Sequence, residues 1–217
     1  YQTLTASMYG EKRFLLDDLS LVQIGVALPV RSGSFGIQAQ SFGSASFNQN
    51  KLGFAYGRSL NEQVNIGVQF NYHYYHIAGY GSAGAVTIEG GLLYRFSPTI
   101  EAGVHVFNPT RSGFFRYKEE DLPTVVSAGL GYSPSPALHL SSTLVKQWNR
   151  PLDVQTGLQY NLGQRLLVKG GIATASSACF VAAGYALSFI NLEVVASFHP
   201  QLGISTGIML TFKNGAQ

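Results

Sequence analysis

Between Gln63 and His76 the chain alternates without a break. Val64, Ile66, Val68, Phe70, Tyr72 and Tyr74 fall on one parity, and Gln63, Asn65, Gly67, Gln69, Asn71 and His73 on the other. A strand turns successive side chains to opposite faces, so this stretch is a ribbon with one apolar and one polar surface. The pattern recurs. Val86, Ile88, Leu92 and Tyr94 oppose Thr87, Glu89 and Arg95; Ile100, Ala102, Val104 and Val106 oppose Glu101, Gly103 and His105. Val154, Leu158 and Tyr160 oppose Asp153, Gln155 and Gln159, and Ile190, Leu192, Val194 and Phe198 oppose Asn191, Glu193, Ser197 and His199. About fourteen such runs can be counted, each near the ~9–11 residues that carry a tilted strand across a bilayer. They begin near Gln2, Ser20, Gly33, Lys51, Gln63, Gly84, Pro98, Thr124, Ala137, Leu152, Arg165, Ala178, Ile190 and Leu202.

Every second run closes on an aromatic residue: Tyr56, Tyr94 with Phe96, Tyr132, Tyr160, Tyr185 and Phe212. In a closed antiparallel sheet those ends share one rim, and a ring of aromatics at a rim is the interfacial girdle of a membrane barrel. The connections alternate too. Short ones fall near Arg31–Ser32, Ser59–Asn61, Ser97–Pro98, Ser133–Pro136, Asn161–Gln164 and Ser188–Phe189. Longer ones fall near Glu11–Leu19, Ser44–Asn50, His76–Ser82, Pro109–Pro123, Gln147–Pro151 and Thr174–Ser177. Short periplasmic turns and long external loops are the outer-membrane arrangement, and an even strand number then leaves both termini periplasmic. The expected fold is all-β: a single transmembrane antiparallel β-barrel domain spanning 1–217, in the outer membrane of a Gram-negative bacterium. Glu11 to Leu19 could form a turn of helix but reads better as a loop.

A soluble β-sandwich also alternates, with its apolar face turned inward. The composition argues against it. The chain is 46% hydrophobic but only 12% charged, about half the charge of an ordinary soluble domain. Its polar face is rich in Gly, Gln, Asn and Ser and poor in Lys and Glu, and a sandwich has no reason to collect aromatics at alternate strand ends. No run of 18 apolar residues occurs, so a membrane-spanning helix is not expected.

The chemistry on the polar face is thin. The 14 Lys and Arg are scattered and the net charge is +3, which gives no footprint for nucleic acid. Cys179 stands alone, so no disulfide or cysteine metal spacing exists. The five histidines show neither HxH nor HExxH spacing, and no metal or other cofactor is expected. Ser141 with His139 and Ser197 with His199 share faces, but no GxSxG turn occurs and no catalytic residue is assigned. The glycine-rich Gly79–Gly84 lacks the helix and Lys-Ser/Thr of a phosphate cradle and reads as a surface loop.

What remains is a set of polar-face residues that cannot cheaply meet lipid: Glu89, Arg95, Glu101, His105, Asp153, Arg165, Lys169, Glu193 and His199. They are expected to face the lumen as a mixed-sign cluster, either as paired charges filling it or as a polar conduit. The second candidate is the loop 108–123. Arg111, Phe114, Phe115, Arg116 and Tyr117 combine the aromatic and Arg residues that anchor protein contacts; alternatively the loop folds over its own barrel mouth, with Phe114 and Phe115 as a plug.

Five segments, YGEKRFLLDDLSL (Tyr9–Leu21), VNIGVQFNYHYYHIAGYGSAGAVTIEGGLLYRF (Val64–Phe96), HVFNPTRSGF (His105–Phe114), EDLPTVVSAGLGY (Glu120–Tyr132) and SFHPQLGISTGIMLTF (Ser197–Phe212), carry a family likeness. Over most of its length the chain resembles the PorV/PorQ-like outer-membrane proteins of type IX secretion, themselves similar to the FadL long-chain fatty-acid transporters. The resemblance implies fourteen strands and a non-enzymatic accessory barrel whose partners are the lipid bilayer and other outer-membrane or secreted proteins. The alternatives are a FadL-like channel for hydrophobic small molecules, or a purely structural barrel. The family carries an N-terminal hatch with an asparagine-proline-alanine type motif. Nothing like it precedes Tyr1, so the hatch is expected to be absent from this stretch of chain.

Overall fold

The computed structural model describes residues 3–114 and 122–214. Fourteen strands form one closed sheet in which each strand pairs antiparallel with its neighbours in sequence. In chain order they are β1 (Leu4–Lys12), β2 (Ser20–Val30), β3 (Gly33–Gly43), β4 (Phe47–Ser59), β5 (Val64–Ile77), β6 (Gly81–Arg95) and β7 (Ile100–Phe107). Then follow β8 (Val125–Ser135), β9 (Leu138–Gln147), β10 (Asp153–Leu162), β11 (Leu166–Ala173), β12 (Ala178–Ala186), β13 (Ile190–His199) and β14 (Gly203–Asn214). β1 closes the ring against β14, from Leu4↔Asn214 to Lys12↔Thr206. Closure leaves no edge strand, so every strand finds its backbone partners inside the sheet.

The wall is inverted relative to a soluble protein. Among the described residues the only buried apolar side chains are Leu21, Ala85, Leu122 and Ala182. Phe70, Val104, Leu158, Val194 and Ile208 stand exposed on the outer surface, between 47% and 53% accessible. The largest fully buried side chains are instead polar: Asn71, Thr87 and Asn108. A sandwich would bury the first group and expose the second. This surface suits hydrocarbon outside and a polar interior.

Most strand starts lie within a few residues of the sequence pattern. The departures cluster in one hairpin pair. β4 begins at Phe47 rather than Lys51 and β6 at Gly81 rather than Gly84. Asn48, Gln49 and Asn50 carry no apolar alternation, yet Phe47 pairs with Ile77 and Ile77 with Gly81, so sheet pairing continues past the end of the pattern. β5 and β6 therefore overshoot the shorter β7, whose last residue Phe107 meets Glu89 in mid-strand. The Glu11–Leu19 connection is partly strand, to Lys12, followed by two 3-10 turns, Arg13–Leu15 and Asp17–Leu19.

Strand ends alternate between two rims, but the rim opposite the short turns is not uniformly long-looped. The connections expected to be long near Ser44–Asn50 and His76–Ser82 shrink to three residues each, 44–46 and 78–80, because β4 and β6 start early. At the turn rim, Phe96, Tyr132, Tyr160, Tyr185 and Phe212 are exposed, and Tyr94 packs edge-on against Phe96 at 4.8 Å. Tyr56 donates its hydroxyl to the Ser32 carbonyl of the β2–β3 turn, 2.9 Å away. Gly43, at the opposite rim, has φ +107. A side chain there would drive into the Phe47 carbonyl, so the tight entry to β4 requires glycine.

Candidate functional site

The interior is divided along its length. At mid-height, Glu89 on β6 accepts hydrogen bonds from Asn71 Nδ2 at 2.8 Å and Lys51 Nζ at 3.2 Å, and lies 3.0 Å from His105 Nε2. Sheet register brings these together: Lys51 pairs with His73, His73 with Ala85, and Gln69 with Glu89. The network continues through Asn71 to Gln69, at 2.6 Å, and from His73 Nε2 to Thr87 Oγ1, at 3.0 Å. Gly53 makes room for it, since a side chain there would come within 2.6 Å of Gln69 Nε2 and 2.9 Å of Asn71 Oδ1. Farther round the ring, Lys169 on β11 bonds Glu193 on β13 at 2.7 Å. The side chains of Glu89 and Glu193 are 15% and 16% accessible, so both carboxylates spend their charge on neighbours in the wall.

On the turn side of Glu89 the inner face mixes glycines with larger residues such as Leu93 and Leu167. A hollow of about 580 Å³ is bordered by Gly57, Gly67, Gly91, Gly103 and Gly129, with Glu89 and His105 at its edge. A second, of about 940 Å³, lies beside Lys169, Glu193 and Arg165. On the loop side the same inward parity carries aromatics. Phe107 follows Glu101, Gly103 and His105 on the inner face of β7, and meets His73 edge-on at 6.1 Å. Phe180 of β12 lies over Gly171, where an added Cβ would sit 2.4 Å from its ring. Tyr75 continues the inner face of β5.

The segment after β7 folds back over this half. Phe114 packs edge-on against Tyr75 at 5.0 Å. Tyr75, Ile77, Tyr80, Ala83 and Phe114 border a hollow of about 350 Å³ at the loop-side mouth. Asn108 holds the fold-back. It is wholly buried, its amide nitrogen donates to the Ser112 and Leu122 carbonyls at 3.1 and 2.8 Å, and its oxygen accepts from Ser112 N at 2.9 Å. Its φ of 49 lies in the left-handed region, which Asn enters more readily than most residues. Arg111 stacks over Trp148 of the β9–β10 loop at 5.0 Å. Of the loop residues picked out by sequence, Arg111 and Phe114 thus contact their own barrel, whereas Phe115, Arg116 and Tyr117 lie outside the described residues.

The inner-face residues named from sequence do not form one cluster. Glu89 and His105 touch, and Lys169 and Glu193 touch. Arg95 and Glu101 face each other at 3.8 Å near the turn rim, where both side chains are well exposed. Asp153 accepts from Ala175 N at 2.7 Å and Gln155 Nε2 at 2.8 Å, pinning the β11–β12 loop. His199 sits at the loop rim, accepting from Gln201 N at 3.2 Å and meeting Phe14 edge-on at 6.2 Å. Arg165 lies at the opposite rim, on the β10–β11 turn. Sequence reasoning passed over Lys51, Asn71, Asn108 and Phe107 as site residues. For Phe107 a signal existed, because it is an aromatic on the polar parity of its strand.

No protein-family profile and no curated protein matches the chain, but solved structures do. The CymD monoaromatic hydrocarbon channel superposes with a TM-score of 0.68 at 12% identity, covering 98% of this chain and 88% of the other. The fold is that of the FadL-type barrels. The Ralstonia pickettii toluene transporter TbuX gives 0.70 at 9% identity, again over 98% and 88%. A Pseudomonas aeruginosa FadL homologue gives 0.60 at 10%, over 97% and 88%. Identities this low speak for shared fold. They support the FadL side of the resemblance and nothing specific to type IX secretion. They also overturn the expectation of an accessory secretion subunit. The barrels that share this architecture are channels and transporters, and the alternative of a channel for hydrophobic small molecules fits better.

Proposed function

We propose that the chain is a non-enzymatic outer-membrane channel that admits hydrophobic small molecules. Its turn rim would face the periplasm, and its loop rim the outside. The observation that carries this reading is the division of the lumen. Tyr75, Phe107, Phe114 and Phe180 give the loop-side half apolar surface, the Glu89 and Glu193 pairs form a polar belt, and glycines leave space beyond it. A structural barrel has no need to put aromatic rings on its inner face. A hydrophobic solute gains by leaving water for such a surface, and the polar belt offers it no comparable gain, so it is held above the belt only until it passes on. The names of the barrels that share the fold, a hydrocarbon channel and a toluene transporter, support the same solute class.

The test is solute entry into proteoliposomes containing the purified barrel. Toluene should enter faster than into protein-free vesicles, and a sugar of similar size should not. Replacing Phe107 and Phe180 together with Asp should abolish the toluene increment while the barrel stays folded. Equal rates for sugar and toluene would mean an unselective pore. No increment for either would mean a structural barrel.

A further inference from the structure

The charges of this chain are unevenly placed along the barrel axis. The mid-height charges cancel, Lys51 and Lys169 against Glu89 and Glu193. The turn rim carries Arg31, Arg58, Arg95, Arg165 and Lys213 against Glu62 and Glu101, a surplus of three that equals the formal net charge of +3 of the entire sequence. Arg95 faces Glu101, but Arg31 and Arg58 are exposed and form no ion pair among the described residues, Glu62 on the adjoining β4–β5 turn included.

These two arginines border one hollow of about 630 Å³ at the β2–β3 and β4–β5 turns, together with Ser32 and Ser59. Arg58 has the strand parity of Leu52, Phe54 and Tyr56, so it leaves the sheet on the outer wall. Directly beside it the wall is aromatic: Phe35 stacks on Phe54 at 5.8 Å and tilts against Tyr56 at 5.0 Å. Phe35 and Phe54 are exposed, with Val30 and Ile66 on the same surface. Cationic fork donors at a rim beside an exposed apolar strip running toward mid-wall match a molecule with an anionic phosphate at one end and a hydrocarbon chain at the other.

We propose that the Arg31–Arg58 corner binds an anionic phospholipid of the leaflet on the turn side. Its phosphate sits on the two guanidinium groups, and one acyl chain lies along Phe35 and Phe54. The proposal rests on the membrane-spanning reading of the barrel but not on any solute passing through it.

The test is native mass spectrometry of the barrel released from nanodiscs made of equal parts phosphatidylglycerol and phosphatidylcholine. The unmodified protein should retain phosphatidylglycerol preferentially. Arg31→Gln with Arg58→Gln should lower that preference roughly thirtyfold, the product of two basic residues at a membrane surface. Arg31→Lys with Arg58→Lys should keep most of it, and Arg150→Gln at the loop rim should leave it unchanged. Heat-resistant migration on gels checks that each variant is folded. An equal loss with Arg150→Gln would show a diffuse charge effect and overturn the proposal, as would no lipid preference in the unmodified protein. Displacement of the lipid by millimolar inorganic phosphate would overturn it too, by showing a site for phosphate without the chain. Toluene entry should be the same in the double Gln variant, so a failed channel reading and a failed lipid site give different results.

Discussion

Asn108 is the residue on which the loop-side mouth depends, and its replacement separates the mouth from the barrel. Asn108→Ala removes three good hydrogen bonds, two to carbonyls of Ser112 and Leu122 and one from Ser112 N, and a longer fourth from Thr110 Oγ1 at 3.4 Å. At about 0.5–1.5 kcal/mol net for each bond, the loss is about 3 kcal/mol. Alanine must also hold a φ of 49, which adds about 1–2 kcal/mol for a side chain in the left-handed region. The sum, about 4–5 kcal/mol, falls on the segment that returns over Tyr75 and not on the strand ladder, because the side chain's partners all belong to the loop. At ~1.4 kcal/mol per tenfold, the population of the detached segment rises by about a thousandfold. Trypsin should then cut after Arg111, which stacks on Trp148 in the unmodified protein, far faster than before, while heat-resistant gel migration persists. Asn108→Gly loses the same bonds without the φ cost, so its cleavage should be slower than that of the alanine variant by about five- to thirtyfold. Toluene entry should change in both. Unchanged proteolysis in Asn108→Ala would refute the reasoning, and so would cleavage accompanied by collapse of the whole barrel.

Two further outcomes test the wall and the belt. Leu158→Arg, on the outer face of β10 and 47% exposed, should lower unfolding stability in lipid by about 2–4 kcal/mol, whereas Gln155→Arg, on the opposite parity of the same strand, should cost little; equal effects in urea titrations would show that the faces are misassigned. Glu89→Gln strips Lys51 of its carboxylate inside the wall and should cost about 1–3 kcal/mol, less than for a fully dry pair because the lumen admits water. Adding Lys51→Met should recover most of that loss, and a double variant no more stable than Glu89→Gln would show that the pair is not coupled.

Much of the fold was legible because a strand has period two and each side of this sheet meets a different solvent. A one-residue slip would have put Glu89 and Glu193 against hydrocarbon and Phe70 in the lumen, so the pattern carries the register as well as the strands. It fails where residues satisfy neither solvent strongly. Asn48 to Asn50 are strand because their backbones pair with β3 and β5, and Gly81 to Ala83 because theirs pair with β5, and pairing leaves no mark on composition. The site was less legible for a related reason. Alternation tells which face a residue occupies but not its height or its neighbours across strands. Arg95, Glu101, Asp153 and His199 share the inner parity with Glu89, yet lie at the rims. Lys51 meets Glu89 only because β4 and β6 flank β5.

The misread function follows from where information about function resides in such a chain. The outer wall must be apolar and girdled whatever the barrel does, so likeness along it says little about role. The inner face has no such obligation. Water suits it, and glycine is its commonest residue, with glutamine, alanine and serine next. An aromatic on that face is therefore the exception that needs a cause. Phe107 ends a strand whose inner parity is otherwise Glu101, Gly103 and His105, and Phe180 occupies the space that Gly171 leaves open. Phe107 continues through His73 and Tyr75 to Phe114, and Phe180 stands on β12, all on the loop side of the charged belt, which on the channel reading is where a hydrophobic solute arriving from that side would first leave water.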